Sequence, residues 1–247
     1  MVTKLIICIA ILIQFSGAKP GLKFYMPAEW EPHEAVWFGW EPYSRGYHPV
    51  VANLIKTLIP HVEIKVAASS DSLLQTAKSY LLQQEVDLSR VKFYVMPGER
   101  YWIRDHGATF LLSDKGELGA ADFDWDRNGY REWLAFKYDN NKDSIQKFWK
   151  LRENSIELTS RVDSLMANAE KATIIKTNII HEGGGIEVNG KGTLILCEAT
   201  ILFRNPDRTR EEIENECKRV LGVSKISWLK RGLSEDPLSK CGRMIRS

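Results

Sequence analysis

Apolar residues Val51, Leu54, Ile55 and Leu58 recur with the helical period and predict a helix from about Val50 to Pro60. Before it, "MPAEWEPHEAVWFGW" places Pro27 and Pro32 in an extended entry, and Ala35 to Trp40 reads as a strand. The strand "EIKVAAS" follows, then an amphipathic helix "DSLLQTAKSYLLQQ" with Asp71 as its expected cap, then the strand "RVKFYVM". "GATFLLS" and "LGAADFDW" form two more strands joined by the turn "DKGE". Helical patterning returns in "SIQKFWKLREN" and "SRVDSLMANAE", and "TIIKTNII", "GIEVNG" and "GTLILC" read as strands. A last helix opens on a capping box, Thr209 with Glu212, stops at Gly222 and leads into "VSKISWL". This order predicts one α/β domain. Three strand-helix-strand stretches of similar length fit either a repeated architecture or an ordinary doubly wound sheet.

Composition narrows the picture. With 44% apolar and 27% charged residues the 247-residue chain can bury a substantial core. Its net charge of +2 comes from 34 basic and 32 acidic residues with no run of like charge, so a nucleic-acid partner is not expected. The segment 1–18 has Lys4, an apolar run from Leu5 to Ile13 and the small residues Ser16, Gly17 and Ala18, the layout of a secretory signal peptide. That run is about half the ~20 residues a membrane span needs, so the mature chain, 19–247, is expected to be secreted and free of the membrane. Beyond Cys8, the cysteines Cys197, Cys217 and Cys241 show no CxxC spacing. Cys217 falls on a helix face with Ile213 and Val220 and Cys197 ends a strand, which makes both core thiols; Cys241 lies in a polar tail.

Three stretches carry candidate chemistry. In "ERYWIRDHGATF" an arginine, an aspartate and a histidine stand in a row beside Trp102 and Ile103, just after a strand ends at Pro97 and Gly98. Asp105 with the indole of Trp102 suits a flat cation such as a guanidinium; an internal Arg104 to Asp105 ion pair is the competing reading. In "IIHEGGGIEV" a strand delivers His181 and Glu182 into Gly183, Gly184 and Gly185, where the main chain can approach a ligand closely or take positive φ, against a plain glycine bulge with a solvated Glu182. The alternation of Asp122, Asp124, Asp126 and Asn128 lacks the glycine and distal glutamate of a calcium loop and fits a polar strand face or substrate rim.

"MPAEWEPHEAVWFGW", "RYWIRDHGATFLL", "HEGGGIEVNGKGT" and "FRNPDRTREEIE" together resemble, in order, the signatures of the agmatine deiminase and bacterial-type peptidylarginine deiminase family, from about Met26 to Pro237. The resemblance implies a pentein, a five-bladed α/β propeller, of which about three blades are expected here. It also implies hydrolysis of a guanidinium, free agmatine or a peptidyl arginine, to a ureido group and ammonia through a cysteine thiolate, with no metal or organic cofactor. Asp105 then matches the family's first guanidinium-binding aspartate, Trp102 the pocket indole and Glu182 the glutamate that orients the catalytic histidine; His106 and His181 match no catalytic position. The family's "GHxD" and "GGGNxHC" motifs, which carry the histidine, second aspartate and nucleophile, have no counterpart in these residues. The resemblance therefore implies an incomplete deiminase, inactive by itself, with a secreted non-catalytic guanidinium binder as the alternative.

Overall fold

The computed structural model describes residues 23–41 and 46–232. The segment 1–18 expected to be a signal peptide, Cys8, Pro237 and Cys241 lie outside them.

Three sheets organise these residues, and each contains a parallel strand pair joined through helices. In the first, β2 (Ala35–Trp40), β3 (Glu63–Ala68) and β4 (Val91–Val95) run parallel, with α1 (His48–Leu58) and α2 (Asp71–Gln83) as crossovers. Burial of Val51, Ile55, Leu74, Ala77 and Leu81 against Ile64 and Val66 fuses both helices to this sheet, as the helical and alternating periods require. Ser70, rather than Asp71, caps α2: its hydroxyl accepts from Leu73 N at 3.4 Å and Asp71 becomes the first helical residue. An acidic first residue still complements the helix dipole, so both side chains favour the same start.

The second sheet has the order β1-β5-β6-β7, built from β1 (Phe24–Tyr25), β5 (Thr109–Ser113), β6 (Leu118–Asp124) and β7 (Thr173–Ile180). Its parallel β6 and β7 are connected through α4 (Tyr130–Lys137), α5 (Lys142–Lys150), α6 (Glu153–Ser160) and α7 (Val162–Ala169). The third, β10-β9-β8, comprises β8 (Glu187–Val188), β9 (Thr193–Cys197) and β10 (Lys225–Leu229), with α8 (Glu198–Arg204) and α9 (Arg210–Leu221) between its parallel strands. The predicted capping box forms in full on α9, and Gly222 takes the left-handed conformation, φ 65°, that ends it. Cys217 is sealed under that helix with Ile213, Val220 and Leu221, and burial pushes its thiol up to about 12. Cys197 is half-buried at the junction of β9 and α8.

The sequence pattern does not anticipate α4 and α8. Both start without a capping side-chain bond, α4 after the left-handed Gly129 and α8 directly at the last residue of β9.

Candidate functional site

Two turns from different sheets meet at the site. After β4 the chain reverses at Gly98, whose φ of 95° and contact with the Leu158 backbone exclude a side chain, and climbs into the four-residue helix α3 (Ile103–His106). Trp102 is the residue before α3 and Asp105 lies one turn on, with Asp105 N donating to Trp102 O at 3.0 Å. Their i, i+3 spacing puts them on neighbouring positions of one turn. Trp102 is 62% exposed, its ring edge-on to Tyr101 at 5.2 Å.

The second turn comes from β7. A register shift between Asp122 and Asp124 ends regular pairing with β6, and His181 N donates to Asp124 O at 3.1 Å. His181 and Glu182 then lead into a single 3₁₀ turn, Gly183–Gly185. None of these glycines takes the positive φ that the triplet allows; close approach alone explains two of them, and what approaches is α3 rather than a ligand. A Cβ on Gly183 would stand 2.3 Å from Arg104 O, and one on Gly184 2.2 Å from Asp105 Oδ1.

Arg104 does not neutralise its neighbour Asp105. Its Nε donates to Gly183 O at 3.0 Å, Nη2 to Ile186 O at 3.4 Å, and Nη1 pairs with Glu29, so the guanidinium staples the two turns from the far side. Asp105 is left half-buried with no ion pair or hydrogen bond to its carboxylate among the described residues. Burial, then the nearby charge of Glu182, raises its pKa, against smaller opposing effects of His106, Arg204 and Arg104. A carboxylate in this state gains most from an incoming cation.

Glu182 is not the solvated residue of a plain glycine bulge. Its Oε1 accepts from Arg204 Nη2 at 3.0 Å, its side chain is 17% exposed, and Oε2 is buried without a hydrogen-bond partner. Behind Asp105 lies a polar cavity about the size of one water molecule, lined by His106, Thr109, Trp125, Asp163 and His181 among others. His181 is fully enclosed, and desolvation, helped by Arg204, pushes its pKa down to about 3, so it is a neutral imidazole and not a proton donor near neutrality. His106, on α3, is buried with Nε2 3.4 Å from Glu99 Oε1. Of the alternating acids, Asp122 sits on β6 with Lys176 at 3.3 Å, Asp124 is exposed and Asp126 is buried in the loop before α4. No group of three or more metal-ligating side chains is assembled among the described residues.

Residues 25–240 match the family of Porphyromonas-type peptidyl-arginine deiminases. The chain belongs to that family. It is 32% identical over 222 residues to an agmatine deiminase of Pseudomonas syringae pv. tomato and 31% identical over 227 residues to one of Medicago truncatula, in each case across 86% of this chain. These alignments take in 54% and 55% of the two relatives, so the chain spans about half their length. The solved agmatine deiminase of Enterococcus faecalis superposes with a TM-score of 0.65 over 85% of this chain and 53% of its own, at 24% identity. The deiminase family's pentein propeller is therefore the fold, and the three sheets are blades of it.

Within this deiminase-family chain, sequence reasoning singled out Asp105, Trp102 and Glu182, and the structure brings Asp105 and Glu182 within electrostatic reach. Arg204 is not among those residues, and the cavity histidines His106 and His181 match no catalytic position of the family. Arg204 had one local signal, a lone cation directly after the apolar run "TILF".

Proposed function

We propose that this chain is a guanidinium-handling member of its family: a hydrolase of the agmatine deiminase or protein-arginine deiminase type, whose described residues supply the grip on the substrate. The reaction is cleavage of a guanidinium C–N bond by water to give a ureido group and ammonia. Asp105 would accept N–H bonds from the planar cation and Trp102 would cover one of its faces. Glu182, fixed through one oxygen, would keep the other for orienting the histidine that handles protons in this chemistry. The observation that carries the reading is the state of Asp105: half-buried, without an ion pair among the described residues, and raised in pKa by burial and a neighbouring carboxylate.

Neither Cys197 nor Cys217 lines the site cavity, and the Cys217 thiol is held far from its reactive form. With no reactive thiol at the cavity among the described residues, this chain is expected to bind a guanidinium and release no ammonia. A secreted, non-catalytic guanidinium binder is the second reading, favoured by that same placement of the cysteines together with the signal-like segment 1–18. Calorimetry with agmatine and with a short arginine-containing peptide, paired with an ammonia assay, tests both. Saturable binding that disappears in Asp105→Ala supports the guanidinium site, and absence of binding to either ligand refutes it. Ammonia release by these residues would overturn the non-catalytic reading.

A further inference from the structure

Arg204 is the most deeply buried cation near the site, 3% exposed at the end of α8, and a buried guanidinium is costly unless its surroundings answer it. The fold fixes its place by a neighbour. The Asn205 side chain accepts from Ile180 N at 2.8 Å and donates to Ile180 O at 2.9 Å and to Ile201 O at 2.8 Å, which ties the end of α8 to the end of β7 two residues before Glu182. A strained loop closes the other side. Arg127, Asn128 and Gly129 are successive left-handed residues (φ 61°, 58° and 74°), Asp126 Oδ1 accepts from Gly129 N at 2.8 Å, and a Cβ on Gly129 would lie 3.2 Å from Phe203 and 3.7 Å from Arg204 Cγ. Two adjacent non-glycine residues in that region persist only where the surroundings enforce them.

Charged and titratable groups of the described residues within electrostatic reach of Arg204 are Glu182 and His181 after β7, Asp105 on α3, Asp126 in the loop and Glu132 on α4. Glu182 makes a direct ion pair with it at 3.0 Å. We propose that Arg204 is a positioning residue of the guanidinium site: it holds Glu182 by one oxygen and, as buried countercharge, lets the Asp105 and Glu182 carboxylates stay ionised together for an incoming guanidinium. This rests on the cation-site reading above. Without Arg204, two carboxylates in one half-buried site compete for ionisation, and one takes up a proton that an incoming cation must displace.

The test reads ligand-free electrostatics separately from binding. The Asp105 carboxyl is titrated by carbon-13 NMR, assigned through Asp105→Asn, in the unaltered protein, in Arg204→Gln and in Glu182→Gln. Removing the cation should move the Asp105 midpoint up, and removing the like charge should move it down. Agmatine affinity of Arg204→Gln should fall about tenfold near pH 5 and less than about threefold near pH 8, with Arg204→Lys recovering most of the loss. An Asp105 midpoint that stays put in both variants, or an affinity loss equal at every pH, overturns the proposal. If Arg204→Gln does not fold, Arg204→Met, which also removes the charge, is titrated in its place and should move the Asp105 midpoint up, while Glu182→Gln must still move it down. If the midpoints move as expected while agmatine does not bind, the electrostatic role of Arg204 stands and the guanidinium reading of the site is what fails.

Discussion

Gly183→Ala probes the contact on which the site is built. The added carbon would stand 2.3 Å from Arg104 O, whereas real contacts of this kind essentially never fall below 3.0 Å, and the clashing atom is backbone that no rotamer change can move. The α3 backbone must therefore withdraw by about 0.7 Å, an overpacking that costs about 1–3 kcal/mol. The same withdrawal stretches the bond from Arg104 Nε to Gly183 O, now 3.0 Å, whose loss adds about 1 kcal/mol. A total near 2–4 kcal/mol should appear in urea unfolding as a lowered midpoint at unchanged slope. Gly46→Ala, at a glycine with nothing within 4 Å and no positive φ, is the control and should change stability by less than about 0.5 kcal/mol. Because Asp105 rides on α3, agmatine binding should weaken in Gly183→Ala as well. A variant as stable as the control would refute the close approach of the two turns.

Other consequences concern protons, thiols and caps. Burial and the neighbouring Asp122 push the Asp163 carboxyl up to about 8, so the native state holds a proton that the unfolded chain sheds near its ordinary value. Stability should then fall as pH rises through that range. His181 acts with the opposite sign, since its depressed pKa makes stability rise with pH up to about 6.5, so between about 6.5 and 8 the decline belongs to Asp163 and should flatten in Asp163→Asn. Thermal unfolding across pH measures this, and an unchanged slope in the variant counts against the buried acid. Cys217 should resist iodoacetamide in the native protein and react only on unfolding; labelling at native rates would place it outside the core. Thr209→Ala removes one half of the capping box on α9 and should cost about 1 kcal/mol in the same urea assay.

Much of the architecture is legible in local pattern. The strands of the first sheet and the helices α1, α2 and α9 announce themselves because one face of each is continuously apolar. Where pattern misled, a physical reason is visible. "EATILFR" extends the apolar run of β9, and a short apolar run cannot be assigned to strand or helix by period alone. "YREWLAFK" follows the loop that leaves β6 at Asp124, and its start is set by the backbone of Gly129 rather than by a capping side chain that the sequence would reveal. At the site, the residue types at Asp105, Trp102 and Glu182 were recognisable because the family's motifs are contiguous. Their pairing was not. Arg104 adjoins Asp105 in the chain yet bonds to Gly183 O, 79 residues away, and Glu182 is answered by Arg204, 22 residues on. Such partners depend on how the blades bring turns together, which no window of sequence contains.

The central claim is that the fold holds Asp105 open for a guanidinium. Its carboxyl signal, followed by carbon-13 NMR through a pH titration with and without saturating agmatine, tests this most directly. The account predicts a midpoint above the ordinary aspartate range in the free protein and a fall when agmatine is present, because a bound cation favours the ionised form. An ordinary midpoint that agmatine leaves unmoved would contradict it.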